Sequence, residues 1–252
     1  MYDIPMDTMS AEFLACWQSA GHHLNQQVDG GIQFWLRAHP YPPFLEHLSF
    51  RLGNQLFFIR VEDVEGRVDG PGALHGLKMI AGETGGHACI LPMKRQLSSG
   101  WVAAAGPGWG LVDAITRQPI NPVSLVTGEK IPMTLWEVQD MAVQVVRGQL
   151  EASDYELMSW QSNPGVDPSL WFIGDSGGPE WVVVRPAVFP REQAKRPSNW
   201  GDIAAQSQHL SSIGHFASVT IVSLAQLTGE EDGRVMPLFR GHALDVEFAG
   251  FE

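Results

Sequence analysis

The chain reads as a mixed α/β protein of two similar sheet-plus-helix modules, and three observations predict this. Apolar arms flank a turn twice, Gly53-Asn54 within residues 48–61 and a Gly/Ser/Pro turn within 170–184, which is the pattern of a hairpin. Each pair of arms is followed by a helical stretch and then by a Gly-His step into another apolar segment, at Gly86-His87 and Gly214-His215. Between the two sets lies a stretch rich in proline and glycine. It predicts a first module over 1–118, a connection over 119–133 and a second module over 134–252. At 252 residues with 44% apolar content, the chain has the material for one large or two small cores.

Taken in order, residues 8–24 predict a helix. Phe13, Leu14, Trp17, Ala20 and Leu24 recur at helical spacing behind Thr8 or Ser10 as cap. His22-His23 falls near its end, where imidazole suits the carbonyl-rich terminus; as metal ligands the pair lacks a third at a diagnostic spacing. After the apolar piece 32–36, the cluster His39-Pro40-Tyr41-Pro42-Pro43 predicts a rigid connection. Residues 48–61 then form two arms about Gly53-Asn54, a strong hairpin signal. A helix over 73–81, a strand over 87–93 and short strands over 101–105 and 110–115 complete the first module.

The second module opens on a helix over 135–150. Thr134 and Glu137 have capping-box spacing, and Val138, Met141, Ala142, Val145, Val146 and Leu150 form an apolar face. Residues 155–160 read as a strand, 170–185 as a hairpin and 200–213 as a helix closed by Gly214 as a left-handed cap. A β-branched strand over 215–224 follows, then a polar loop over 228–233 and a last strand with Leu244, Val246 and Phe248 on one face. The halves echo each other: Arg60 and Arg185 end matching strands at an offset of 125, and His87 and His215 match at 128. Either one module was duplicated or an apolar hairpin arose twice.

Composition narrows the partners. Sixteen Lys plus Arg stand against 28 Asp plus Glu, a net charge of −12. Such a field repels phosphate backbones and favours a basic protein partner or serves solubility. Cys16 and Cys89 sit apart in apolar surroundings and are expected to be reduced and buried. The N-terminus has no secretory pattern and no run reaches membrane-spanning length, so a cytoplasmic protein with no membrane contact is expected.

Two motifs carry candidate chemistry. Gly174-Asp175-Ser176-Gly177-Gly178-Pro179 resembles the nucleophile motif of the chymotrypsin-like serine proteases. That resemblance implies Ser176 as nucleophile, with His87 and Asp113 completing its His, Asp, Ser order. His87 lacks the family's context, however, and the capped helix over 135–150 falls where a double β-barrel needs strands. A Gly/Ser/Pro turn between apolar arms also explains the same six residues.

The order helix, strand, hairpin, helix, strand over 134–225 resembles the core of the restriction-endonuclease-like fold, the PD-(D/E)XK family. That resemblance implies Asp167 as the first metal-binding acid, holding Mg²⁺ or Mn²⁺. The second-strand triplet is Val183-Val184-Arg185, with valine in place of the second acid and arginine in place of lysine. Glu180 is the nearest substitute, but from the opposite face of the strand. In a nuclease, Asp167, Glu180 and Arg185 would form the site, with Glu151 as a helix-borne acid. The first-half triplet, Phe58-Ile59-Arg60, also lacks an acid. The expectation is therefore a non-catalytic acidic binding protein of inhibitor, immunity or accessory type, with no cofactor. A metal-dependent nuclease and a Ser176 hydrolase are the competing readings.

Overall fold

The computed structural model describes residues 10–36, 48–70, 74–96, 100–106, 108–227 and 237–252. Thr8, the proline cluster at 39–43 and the loop at 228–233 lie outside the described residues. The chain divides into two units, Met1–Lys130 and Ile131–Glu252.

In the first unit, α1 (Ala11–Asn25) starts where Ser10 Oγ accepts from the Phe13 amide at 3.0 Å, satisfying one orphan donor. Its buried face carries Phe13, Cys16, Trp17, Ala20 and Leu24. It packs on a sheet built from β1 (Phe34–Trp35), β2 (Leu48–Leu52), β3 (Gln55–Asp63), β4 (His87–Gln96), β5 (Gly100–Ala103), β6 (Leu111–Asp113) and β7 (Pro119–Ile120). The order is β1-β2-β3-β4-β6-β7, with β5 paired to the far end of β4. The helix α2 (Leu74–Thr84) carries the chain from β3 to the parallel β4.

The segment expected to connect the modules belongs in large part to this unit. It forms β7 and a short turn of helix, α3 (Pro122–Leu125), capped by Asn121. The buried Asn54 side chain at the β2–β3 turn donates to Thr127 Oγ1 (2.8 Å) and the Glu129 carbonyl (2.9 Å). Those bonds hold 127–129 against the first sheet. The division consequently falls at 130/131, inside the expected connection.

The second unit contains α4 (Leu135–Ala152), β8 (Glu156–Trp160), β9 (Leu170–Ile173), β10 (Pro179–Val188), α5 (Trp200–Ser207), β11 (Gly214–Ser223), α6 (Leu224–Leu227) and β12 (Leu244–Phe251). Its sheet runs β12-β11-β10-β9-β8, with β10 and β11 parallel and the other neighbours antiparallel. The repeat seen in sequence is a repeat of topology and register. Phe57 lies opposite His87 across β3 and β4 as Val182 lies opposite His215 across β10 and β11.

Two expectations are corrected by packing. The helix after the second hairpin stops at Ser207, leaving Leu210 exposed, and Gly214 opens β11 instead of capping a helix. Glycine is needed there for another reason: a Cβ would lie 2.1 Å from the Trp181 indole. The helix α4 does carry its capping box and buries the predicted Val138, Ala142, Val146 and Leu150, but its buried face is wider than the one predicted. Glu137, Gln139 and Asp140 are buried, while Met141 and Val145 are only half-buried. Each of these three buried polar side chains has a partner, as burial demands. Arg240 binds Glu137 through Nε (2.8 Å) and Nη2 (2.7 Å), Gln139 donates to the Val184 carbonyl, and Ser162 donates to Asp140.

Candidate functional site

The hairpin of β9 and β10 positions most of the sequence-predicted residues. Its start is clamped: the Ser169 amide donates to the Val182 carbonyl (2.8 Å) and Ser169 Oγ accepts from the Val184 amide (3.1 Å). Asp167, two residues earlier, is thereby brought alongside Arg185. The two form a bidentate pair, Nη1 to Oδ1 at 2.9 Å and Nη2 to Oδ2 at 2.5 Å. The Asp167 side chain is 11% exposed and that of Arg185 22%. Both carboxylate oxygens thus accept from one planar guanidinium, a geometry lysine does not reproduce.

Strand alternation puts Trp181, Val183 and Arg185 on one face and Glu180 and Val182 on the other. Val183 is fully buried and packs in a core cluster with Trp181, Ile203 and Phe216. Val183, which the nuclease resemblance sets at the second acid, is therefore part of the hydrophobic core under α5. Glu151 is exposed at the end of α4, 3.8 Å from Arg147. In the first unit, Arg60 Nε lies 3.5 Å from Glu62. Among the described residues, no group of three or more His, Cys, Asp or Glu side chains is arranged to hold a metal ion.

On the opposite face, the Gly174–Gly178 turn is tied down from below. Ser176 Oγ donates to Glu180 Oε1 (3.2 Å) and accepts from the Gly178 amide (3.3 Å). Glu180, 7% exposed, takes a 2.7 Å hydrogen bond from His215 Nε2 through its other oxygen. Its carboxyl group fills the space beneath Gly174, where a Cβ would lie 2.0 Å from the carboxyl carbon. Beside it, the Tyr155 hydroxyl donates to Asp175 at 2.9 Å, which raises the Tyr155 pKa. Ser176 is thus a turn residue whose partners are a carboxylate and an amide of its own hairpin.

The other two members of the serine-hydrolase reading lie in the first unit. His87 Nε2 donates to Gln55 Oε1 (3.1 Å) and its ring stacks on Phe57 at 5.0 Å. Asp113 closes the β6–β7 turn, accepting from the amides of Thr116 (2.7 Å) and Ile115 (2.9 Å) and from Thr116 Oγ1 (3.0 Å). The Thr116 amide in particular holds the Asp113 pKa below the ordinary carboxylate value.

The echo between the units sharpens here. Gln55 and Glu180 are 125 positions apart, and His87 and His215 are 128 apart, so each unit pairs a histidine at the start of its parallel strand with a residue at the start of the preceding one. In the first unit the acceptor is an amide and in the second a buried carboxylate. Sequence reading recovered the histidines but not their partners. Nothing local signals that Glu180 points at His215, or that Arg240 reaches Glu137 over 103 positions.

Residues 136–252 match the model of a family described as a domain of unknown function (DUF8840). The match covers most of the second unit. No curated protein and no solved structure matches the chain. No helix among the described residues is long and apolar enough to cross a membrane.

Proposed function

We propose that the chain is a non-catalytic acidic binding protein, of inhibitor, immunity or accessory type, whose second unit is a degenerate nuclease-like scaffold. The observation that carries this reading is the Asp167–Arg185 pair: the carboxylate that would receive a metal is engaged through both oxygens by a guanidinium. Freeing it would leave Arg185 and Asp167 partly desolvated without partners, a loss of several kcal/mol in buried pairs. The burial of Val183 at the second acid position supports the same reading.

Charge supports the choice of partner. Sixteen acidic and seven basic residues lie in 131–252, so nine of the twelve excess negative charges belong to the second unit. A surface of that sign steers basic macromolecules toward it and turns nucleic acid away.

The test has two arms. Incubation of the full chain with single- and double-stranded DNA and RNA in Mg²⁺ or Mn²⁺ is expected to give no cleavage. Metal-dependent cleavage that Asp167→Ala abolishes would overturn the reading in favour of a nuclease. Native co-purification followed by mass spectrometry is expected to return a basic protein, and repeated recovery without one counts against the binding role.

A further inference from the structure

A sheet edge is a row of unpaired amides and carbonyls, so natural proteins keep edges short, bulged or studded with Lys and Pro. Among the described residues, the edges of the two sheets differ sharply in this respect. β1 and β7 are two residues long and β5 is four. β8 is five residues long, and its pairing with β9 shifts register between Leu157 and Ser159. β12 runs for eight residues and contains neither Lys nor Pro. Its pairing with β11 is regular over the five residues from Leu244 to Phe248 and shifts register only beyond them, between Phe248 and Phe251.

The outward groups of β12 can be named. The Ala243 carbonyl accepts from the Leu224 amide at 3.1 Å, on the β11 side. Alternation then turns the backbone groups of Asp245 and Glu247 toward β11 and those of Leu244, Val246 and Phe248 outward. The side chains alternate too: Leu244, Val246 and Phe248 are half-buried, while Asp245 and Glu247 are exposed. Among the described residues β12 pairs only with β11.

Charge decides between occupants. Antiparallel pairing of β12 with a second copy would set Asp245 and Glu247 of one chain against those of the other, and opposed like charges destabilise a ladder. A strand carrying Lys or Arg at alternate positions meets the same two carboxylates favourably. We propose that the free edge of β12 is a docking edge that adds an extended segment of a partner protein, with basic residues alternating with β-branched ones. This rests on the reading of the chain as an acidic binding protein and supplies the chemistry of its partner.

The experiment uses the full chain and a labelled eight-residue peptide alternating Lys and Val, with a Glu/Val peptide as control. Fluorescence anisotropy is expected to show binding of the Lys/Val peptide alone, with slowed hydrogen exchange at the amides of Leu244, Val246 and Phe248. Val246→Pro removes one outward N–H and no bond to β11, which an edge strand tolerates. It is expected to weaken binding by at least about tenfold, and Asp245→Asn with Glu247→Gln by several-fold. Should Val246→Pro fail to fold, the double variant and the exchange pattern of the unmodified protein decide. Binding that leaves β12 exchange unchanged and is indifferent to these variants would overturn the docking edge. So would concentration-dependent dimerisation that slows exchange in β12 without peptide. Co-purification of a basic partner with β12 exchange unaltered would sink the edge and leave the binding role standing. Failure of both the peptide and the co-purification would remove the binding role itself.

Discussion

Arg240→Met should be the most destabilising conservative change in the second unit. Glu137 and Arg240 are each 4% exposed and joined by bonds of 2.8 and 2.7 Å. Removing one member of a buried pair typically costs roughly 3–5 kcal/mol, because the other charge is left desolvated. Here Glu137 Oε2 would keep the Thr134 amide (2.8 Å) and hydroxyl (3.0 Å), which places the cost at the lower end, about 3 kcal/mol. With a urea dependence of about 2 kcal/mol/M, the midpoint of this unit should fall by roughly 1.5 M. Adding Glu137→Gln removes the stranded charge while glutamine still completes the capping box, so the double variant should recover most of the loss. Hydrogen exchange measured across a urea series reads each unit separately, with peptides from α4 reporting the change and peptides from β2 and β3 serving as internal reference. A loss below about 1 kcal/mol for Arg240→Met, or a double variant no more stable than the single one, would refute this account of the pair.

Three further outcomes follow from packing and titration. Gly214→Ala should destabilise the second unit by roughly 1–3 kcal/mol, because its Cβ meets the Trp181 indole at 2.1 Å. Gly201→Ala in α5, where nothing lies within 4 Å, should be neutral or stabilising by up to about 1 kcal/mol; urea midpoints compare the two. Asp113 has a depressed folded-state pKa, so its hydrogen bonds contribute fully above the ordinary carboxylate value and the contribution fades as pH falls through the folded value. The site is solvent-accessible, so the effect should stay under about 1 kcal/mol and vanish in Asp113→Asn, read as first-unit stability against pH below 5 or so. Burial pushes the thiols of Cys16 and Cys89 up to about 12. Neither should react with a thiol reagent at pH 8 in the native protein, and both should react on unfolding; rapid native labelling would contradict their burial.

How far the sequence reached depended on whether the signal was local. The Gly53-Asn54 turn and the Thr134–Glu137 box are each set within four residues and stand where the local pattern places them, and of the two caps offered for the first helix Ser10 is the one used. The helix over 200–213 was overextended because Gly214 has the same letter whether it caps a helix or makes room for Trp181. The buried face of α4 is wider than its apolar stripe because apolar spacing does not register that Gln139 and Asp140 meet partners 45 and 22 positions away. The connection at 119–133 looked like a linker by composition, yet Asn54 reaches 73 positions to hold Thr127.

For the candidate site the division is similar. The residues themselves, the valine where the nuclease resemblance expects an acid and the repeated Gly-His step were legible in the chain. The tertiary structure decided what each group faces: Asp167 faces a guanidinium, Ser176 a carboxylate, His215 a buried glutamate and His87 an amide. The sequence by itself determined a mixed α/β chain of two like modules, because strand and helix periodicities and turn chemistry are carried by near neighbours. Only the tertiary structure decided which polar groups are quenched and, among the described residues, which strands pair, because long-range contacts set those.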